Sequence, residues 1–335
     1  MSKIGILGSG TWGTALANMF ALHEHEVTLY SSFKEETESL VKTHKHPHLD
    51  CELTDKIEFT NDVDKACINK DIIIFASPSP YIRASVTKAK PYVNKKQILV
   101  CVAKGIEPDT HYFMSEIMED VLGKGYKIVA LSGPTHAEEV AICQPTCIVS
   151  ASKNKEARRI VQKEFSNDIL RVYTNKDIRG VELCGALKNI VALAAGMSEG
   201  LGYGDNAKAA IITRGLAEIT RLGKKMHCKT KTFYGLAGIG DIVVTATSTH
   251  SRNHNAGVLL GKGYSLEDTL KEIGMVVEGV NALIAAKQLQ MKYKVELPII
   301  DAAYNIIQGR LEVGDVLPVL FGRRPQSETR YKKQK

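Results

Sequence analysis

The sequence predicts an α/β chain: an N-terminal doubly wound sheet followed by an all-helical C-terminal domain. Three observations predict it. Residues 2–175 alternate β-rich apolar runs with amphipathic stretches. A GxGxxG follows the first of these runs. From about residue 176 strand-like runs nearly vanish while helical periodicity continues.

The strand candidates are KIGIL (3–7), EVTLY (26–30), DIIIFA (71–76), QILVCVA (97–103), YKIVAL (126–131), TCIVSA (146–151) and ILRVY (169–173). Their near-continuous Val/Ile/Leu character fits strands buried on both faces, as in a parallel sheet covered by helices. Helix candidates separate them at 12–24, 34–43, 80–89, 111–122, 135–142 and 154–165. Such alternation predicts double winding. In the second half, helical periodicity marks 177–199, 206–225, 253–261, 265–272, 279–292, 298–308 and 313–320. The expected division is 1–175 for the sheet domain, 176–322 for the helical domain and 323–335 for a basic, disordered tail. A length of 335 residues suits two cores better than one.

Composition narrows the class. The chain is 44% hydrophobic and 24% charged, as expected of a globular protein. Its longest apolar helical segment is interrupted by Lys188, Asn189 and glycines, so no membrane span is expected. The first residues enter a strand with no basic leader, so no secretory signal is expected. Seven cysteines without a CxxC pair read as reduced thiols of a cytoplasmic protein. The net charge of +7 is concentrated at one end. The last 13 residues carry six basic groups and one Glu, or +5, which leaves +2 for the other 322. That distribution argues against a nucleic-acid face.

The glycine motif is Gly8-Ser9-Gly10-Thr11-Trp12-Gly13, between a strand and a helix. In that context it reads as the Rossmann dinucleotide cradle. Gly8 allows the tight turn, Gly10 the approach of a pyrophosphate, and Gly13 close helix–strand packing. The N–H groups of the helix start face the negative charge. The second strand runs into Ser31, Ser32, Phe33 and Lys34 with no acid at its end. That leans toward NADPH or toward no preference between NADPH and NADH, because NAD-specific sites usually end this strand with Asp or Glu. Glu35 and Glu36 come later, on the following helix.

A second constellation concerns a phosphate and a carbonyl. Lys104 lies just past a strand end, where open α/β sheets bind ligands. Gly133, Pro134 and Thr135 follow the next strand at a helix start, where N–H groups and a hydroxyl can hold an anion. GLAGIGDIVVTATSTHSRN contributes Asp241, Thr245, Ser251, Arg252 and Asn253. Arg252 suits bidentate phosphate binding. Glu278 stands in an apolar setting. Lys188 sits mid-helix in GVELCGALKNIVALAAGM, and its neighbours one turn away, Cys184, Gly185, Val191 and Ala192, cannot pair with an ammonium. Taken singly, each of these has a plainer explanation as surface charge, helix cap or snorkelling side chain. Their combination beside a nucleotide fold favours a site.

These stretches resemble the bacterial-type NAD(P)-dependent glycerol-3-phosphate dehydrogenases over nearly the whole chain. The likeness rests on GSGTWGTALA (8–17), AKG (103–105), SGPTHAEE (132–139), the segment 182–218 around Lys188-Asn189, GLAGIGD (235–241), SRN (251–253) and VVEG (276–279). Such enzymes interconvert dihydroxyacetone phosphate and sn-glycerol 3-phosphate, which in bacteria supplies the phospholipid backbone. The resemblance implies that Lys188 donates and accepts the proton. It implies substrate contacts for Lys104, Gly133, Thr135, Asp241, Ser251, Arg252 and Asn253, with Asn189 and Thr245 lining the same site. It implies cofactor contacts for Thr11, Trp12, Ser32, Phe33, Lys104, Ala137, Arg252, Val276 and Glu278. A homodimer is implied as well. Family members often carry a basic or imidazole side chain where Ser32 and Phe33 stand. For Lys188, burial lowers the pKa and Asp241 opposes the shift.

The nearest alternative is a 3-hydroxy acid dehydrogenase of the same two-domain plan, which would need a carboxylate site instead of a phosphate site. A non-catalytic dinucleotide-binding regulator would need neither the lysine nor the phosphate ligands. HKHPH (44–48) has three histidines at alternate positions, but in a Pro-containing loop without a cysteine pair, so no metal is expected.

Overall fold

The structure is a computed structural model that describes residues 1–324 and 327–328. Residues 325, 326 and 329–335 of the basic tail lie outside the described residues, and the expectation of a frayed end falls mostly there.

The strands are β1 (Lys3–Leu7), β2 (Glu26–Tyr30), β3 (Ile57–Thr60), β4 (Ile72–Phe75), β5 (Ile98–Cys101), β6 (Lys127–Ser132), β7 (Thr146–Ala151) and β8 (Leu170–Asn175). They form one sheet in the order β3-β2-β1-β4-β5-β6-β7-β8. Ile4 of β1 stands between Val27 and Ile72, and Leu7 between Tyr30 and Phe75. The order reverses between β1 and β4, which opens a crevice beyond the strand ends, where such sheets take ligands.

The sheet departs from expectation in two ways. β3 is absent from the sequence reading, because an edge strand reading IEFT, with Glu58 exposed, has no continuous apolar run. β7 runs antiparallel to β6, and β8 follows β7 in parallel, so the sheet is not wholly parallel. The β6–β7 connection holds only a five-residue helix that packs against the first helix of the domain, so the chain turns back at the same end of the sheet.

The helices of this half are α1 (Thr11–Leu22), α2 (Lys34–Thr43), α3 (Ile82–Ala89), α4 (Met114–Leu122), α5 (Ala137–Ala141) and α6 (Lys155–Phe165). α3 is led in by a single 3-10 turn, Ser79–Tyr81. α4 starts later than its periodicity suggests, because Asp109 (φ 67°) and His111 (φ 59°) hold the preceding chain out of helix. One face of the sheet buries Ile4, Ile6, Phe20 and Phe165; the other buries Leu7, Ile73, Phe75 and Met118.

The helical half comprises α7 (Ile178–Gly200), α8 (Asp205–Lys225), α9 (Thr230–Phe233), α10 (Asp241–Thr247), α11 (Arg252–Gly261), α12 (Leu266–Ile273), α13 (Glu278–Tyr293), α14 (Pro298–Ile307) and α15 (Val316–Phe321). α9 and α10 flank a glycine-rich stretch and are not evident in the sequence. A π-helical turn, Leu236–Gly240, joins them and is kinked at Gly238. α7 is the central rod. Asp177 caps it, accepting from the Gly180 N–H at 3.2 Å. Lys188 and Asn189 interrupt the apolar run without interrupting the helix. The helix is continuous, and by length and hydropathy it is long and apolar enough to cross a membrane, yet 94% of its apolar window is buried in the protein. It is the core helix, packed by α8, α10, α11, α13 and α14.

The α7–α11 contact is a reciprocal glycine seam. A Cβ on Gly196 would fall 2.0 Å from the His254 carbonyl oxygen, and one on Gly257 would fall 2.1 Å from that of Leu193. Gly200 and Gly261 repeat the arrangement one turn on. With no side chains between them, the two backbones touch, and the start of α11 is held directly against α7.

Candidate active site

A cavity of about 1050 Å³ runs from the glycine loop, along the strand ends, to α7 and the start of α11. Gly8 has φ 125°, open to glycine alone. A Cβ on Gly13 would lie 2.0 Å from the Gly8 carbonyl oxygen, so α1 can leave the loop only through a glycine. A Cβ on Gly10 would meet nothing within 4 Å. Thr11 Oγ1 is buried at the α1 N-terminus without a hydrogen-bond partner among the described residues. This cradle fits the pyrophosphate of a dinucleotide, which needs close backbone approach and donors at a helix start. Gly8, Gly10, Thr11, Trp12, Ser32 and Phe33 line the cavity at this end. Gly13 lies behind it, in the packing.

At the other end two lysines share one carboxylate. Lys104 comes from the loop after β5 and Lys188 from the middle of α7. Lys104 Nζ donates to Asp241 Oδ2 at 2.7 Å and to the Gly133 carbonyl at 3.2 Å. Lys188 Nζ donates to Asp241 Oδ1 and, at 2.8 Å, to Thr245 Oγ1. Thr245 Oγ1 in turn donates to the Asp241 carbonyl at 2.6 Å. Gly185, one turn before Lys188, makes room for Lys104: a Cβ there would come within 3.4 Å of Lys104 Cγ. The Asp241 side chain is fully buried, while Lys188 and Lys104 keep 8% and 17% of theirs exposed toward the cavity.

The charges follow from this geometry. Burial pushes the Lys188 ammonium down to about 7; Asp241 opposes the shift and Lys104 adds to it. Burial alone would raise Asp241, but the two lysines hold its carboxyl below the usual range. Asp241 is thus a fixed anion, and Lys188 is poised to gain or lose a proton near neutrality.

Several predicted residues prove to be structural partners of the cavity wall. Asp241 faces the two lysines behind the cavity lining. Gly133 is likewise outside the lining, and its carbonyl accepts from Lys104 and from Thr135 Oγ1 at 3.3 Å. Of the 133–135 stretch, Pro134 has no N–H to offer, and α5 starts at Ala137 with His136 as its N-cap. Thr135 and Ala137 do line the cavity, as do Lys104, Lys188, Asn189 and Thr245.

The α11 end completes the wall. Ser251 caps the helix, accepting from the His254 N–H at 3.2 Å. Asn253 Nδ2 donates to Asn189 Oδ1 at 3.1 Å, and Asn253 Oδ1 accepts from the Gly279 N–H at 2.7 Å. These bonds tie α7, α11 and α13 together. Arg252 lines the cavity and takes part in no ion pair among the described residues. Glu278 reaches across the crevice: Ser79 donates to it through its N–H (3.0 Å) and Oγ (2.6 Å). Burial raises the Glu278 pKa. Val276 lines the same wall.

The sequence reading missed some lining residues. His136 and His250 lie on the substrate side with ring centroids 5.9 Å apart, and burial lowers the pKa of His136. Pro47, His48 and Asp50, from the histidine-containing loop, line the cofactor side. No periodicity marks loop residues, so only the fold could bring them here. Among the described residues no group of three or more His, Cys, Asp or Glu could hold a metal.

Family models match both halves. Residues 3–158 match the NAD-dependent glycerol-3-phosphate dehydrogenase N-terminus, and residues 177–318 match its C-terminus. The chain belongs to the NAD-dependent glycerol-3-phosphate dehydrogenase family. It is 50% identical over 334 residues to glycerol-3-phosphate dehydrogenase (NAD(P)+) 2 of Lactobacillus delbrueckii subsp. bulgaricus, covering 98% of this chain and 99% of that protein. It is 48% identical to glycerol-3-phosphate dehydrogenase (NAD(P)+) of Bacillus subtilis, covering 96% and 95%. Among solved structures, the glycerol-3-phosphate dehydrogenase of Coxiella burnetii superposes with a TM-score of 0.91 at 32% identity, covering 96% of this chain and 99% of that one. The N-terminal match contains the glycine cradle and Lys104, the C-terminal match contains Lys188 and Asp241, and the cavity joins them.

Proposed function

We infer that the chain reversibly reduces dihydroxyacetone phosphate to sn-glycerol 3-phosphate with NADH or NADPH. The observation that carries the reading is the Lys104–Asp241–Lys188 cluster opening onto the same cavity as the glycine cradle. The reduced nicotinamide, when bound, supplies a hydride to the ketone carbon. Everything else falls to this chain. Lys188 meets the carbonyl oxygen and gives it a proton as charge develops there; in the reverse direction it takes the hydroxyl proton. Asp241 keeps the ammonium in place, and Thr245 fixes its direction. Lys104 supplies a second positive charge toward the same oxygen. Arg252, with Ser251 and Asn253 at the α11 start, holds the phosphate. Asn189 and Thr135 line the substrate side, while Gly8, Gly10, Thr11, Trp12, Ser32, Phe33, Ala137, Val276 and Glu278 line the cofactor side.

In this reading residues 1–175 form the dinucleotide-binding domain, with Lys104 and Thr135 reaching the substrate, and 176–322 the substrate domain, with Val276 and Glu278 reaching the cofactor. The product feeds glycerophospholipid synthesis, and the enzyme acts in the cytoplasm as a homodimer. The test is NADH or NADPH oxidation with dihydroxyacetone phosphate, with 3-hydroxyisobutyrate and NAD(P)+ as the control pair. Turnover with the phosphate pair and none with the hydroxy acid is expected; the opposite result overturns the reading. Lys188→Met should lower kcat by about 10²–10⁴ while cofactor binding stays within about twofold. Wild-type kcat in that variant would remove Lys188 from the chemistry.

A further inference from the structure

β2 ends without an acid, yet an acid stands at its end. Glu36, in the first turn of α2, turns its carboxylate back to the strand terminus. Its Oε2 accepts from Ser9 Oγ of the glycine loop at 2.6 Å and from Ser31 Oγ just past β2. Both donors are themselves fixed. The Ser9 carbonyl accepts from Thr14 Oγ1 at 2.8 Å. The Ser31 N–H donates to the Thr60 carbonyl at 3.0 Å, and its own carbonyl accepts from Asn61 Nδ2 at 3.0 Å. Ser31 Oγ also accepts from the Phe33 N–H at 3.1 Å. The carboxylate is therefore clamped between the glycine loop and the second strand. An adenosine ribose lies between those two segments in this fold. Glu36, Ser9, Ser31, Ser32 and Phe33 all line that part of the cavity. Oε1 takes no hydrogen bond among the described residues, so one acceptor oxygen is left over.

We infer that Glu36 reads the adenosine ribose and makes the chain selective for NADH over NADPH. The inference rests on the proposed binding of a dinucleotide in this cavity and deepens it by naming the cofactor. A ribose hydroxyl can donate to the free oxygen. A 2′-phosphate brings about two negative charges against a carboxylate that two serines hold in place. The cations nearby are otherwise engaged. Lys34 pairs with Glu38 at 3.6 Å on the surface. Lys88 lines the same wall, but its ammonium lies on the Tyr30 hydroxyl and 5.0 Å from the Tyr30 ring centroid. A helix residue four places after the last serine is easily set aside as surface charge, which is why the sequence leans the other way.

The chain has a single tryptophan, Trp12, and it lines this cavity, so its fluorescence reports binding directly. NADH and NADPH are titrated separately against the wild type, Glu36→Gln and Lys88→Met. Gln keeps the shape, its amide oxygen in the place of Oε2 accepting from both serines, so the clamp survives without its charge. The wild type should bind NADH at least about tenfold more tightly than NADPH. Glu36→Gln should bring the two Kd values to within about threefold, mainly by tightening NADPH. Lys88→Met should leave the ratio within about twofold. A wild type that prefers NADPH, or a Glu36→Gln ratio equal to that of the wild type, overturns the inference. Failure of both nucleotides to bind overturns the dinucleotide reading along with it. NADH-selective binding without turnover of dihydroxyacetone phosphate would leave the inference standing and remove the proposed reaction.

Discussion

Asp241→Asn isolates what the shared carboxylate does. It keeps the shape and removes one charge from a fully buried position between two ammonium groups. At 2.7 Å, the Lys104–Asp241 separation, and an effective dielectric of about 20, a unit charge pair attracts by about 6 kcal/mol. Desolvation absorbs part of that, and removing one partner of a buried pair costs about 3–5 kcal/mol. A pKa unit corresponds to about 1.4 kcal/mol. Losing about 3 kcal/mol of support would therefore lower Lys188 by about two units, from about 7 to about 5. Reduction needs the protonated amine, so wild-type kcat should fall as pH rises through about 7. In the variant the fall should come near pH 5, with kcat at pH 7.5 lowered about 10²-fold or more. Oxidation needs the neutral amine and should persist to lower pH than in the wild type. NADH absorbance, followed with saturating dihydroxyacetone phosphate from about pH 5 to about pH 9, reads the profile. An unshifted profile would refute the reasoning, because Asp241 would then not be setting the charge of Lys188.

Two further predictions follow from the same geometry. Arg252→Ala should raise KM for dihydroxyacetone phosphate, with about 2–3 kcal/mol of binding lost and a smaller effect on kcat; an unchanged KM removes it from the phosphate site. Glu182 and Glu218 are buried carboxyls raised to about 7 by burial, above an unfolded value of about 4.3. Their contribution to stability is thus present in acid and lost as pH rises from about 4.3 through about 7. Glu182 accepts from the Ser115 N–H and Oγ, so Gln can replace it, accepting one bond and donating the other. Glu218 accepts from two backbone N–H groups, those of Ile299 and Ile300, so an amide NH₂ there opposes a donor. Urea unfolding at pH 5 and pH 8 should show Glu182→Gln flattening the pH dependence, and Glu218→Gln destabilising by about 1–3 kcal/mol at both.

Legibility varied with the physics behind each feature. Six strands are legible because burial on both faces demands unbroken apolar runs, and the edge strand β8 because Ile169, Leu170 and Val172 keep its run apolar. β3 is not, since an edge strand has one wet side. The reversal of β7 depends on where α5 comes to rest, which no local pattern encodes. Lys188 is legible as an anomaly: a charge without a local partner in an apolar helix. Its partner Asp241 is legible only through the family resemblance, because it lies 53 residues on and is placed by the π-helical turn. Glu36 is hidden for a related reason. Its spacing from the strand end is that of a helix residue, and only the fold shows the side chain turning back.

The glycine seam between α7 and α11 acts as a gauge. Lys188 stands on one of these helices and Arg252 begins the other, and the two meet backbone to backbone. A core packed through side chains can shift by a methylene when one of them changes. Contact between main chains has no such play. The spacing of the two helix backbones that carry the amine and the guanidinium is therefore set by covalent dimensions, which makes that spacing hard to alter by repacking the core.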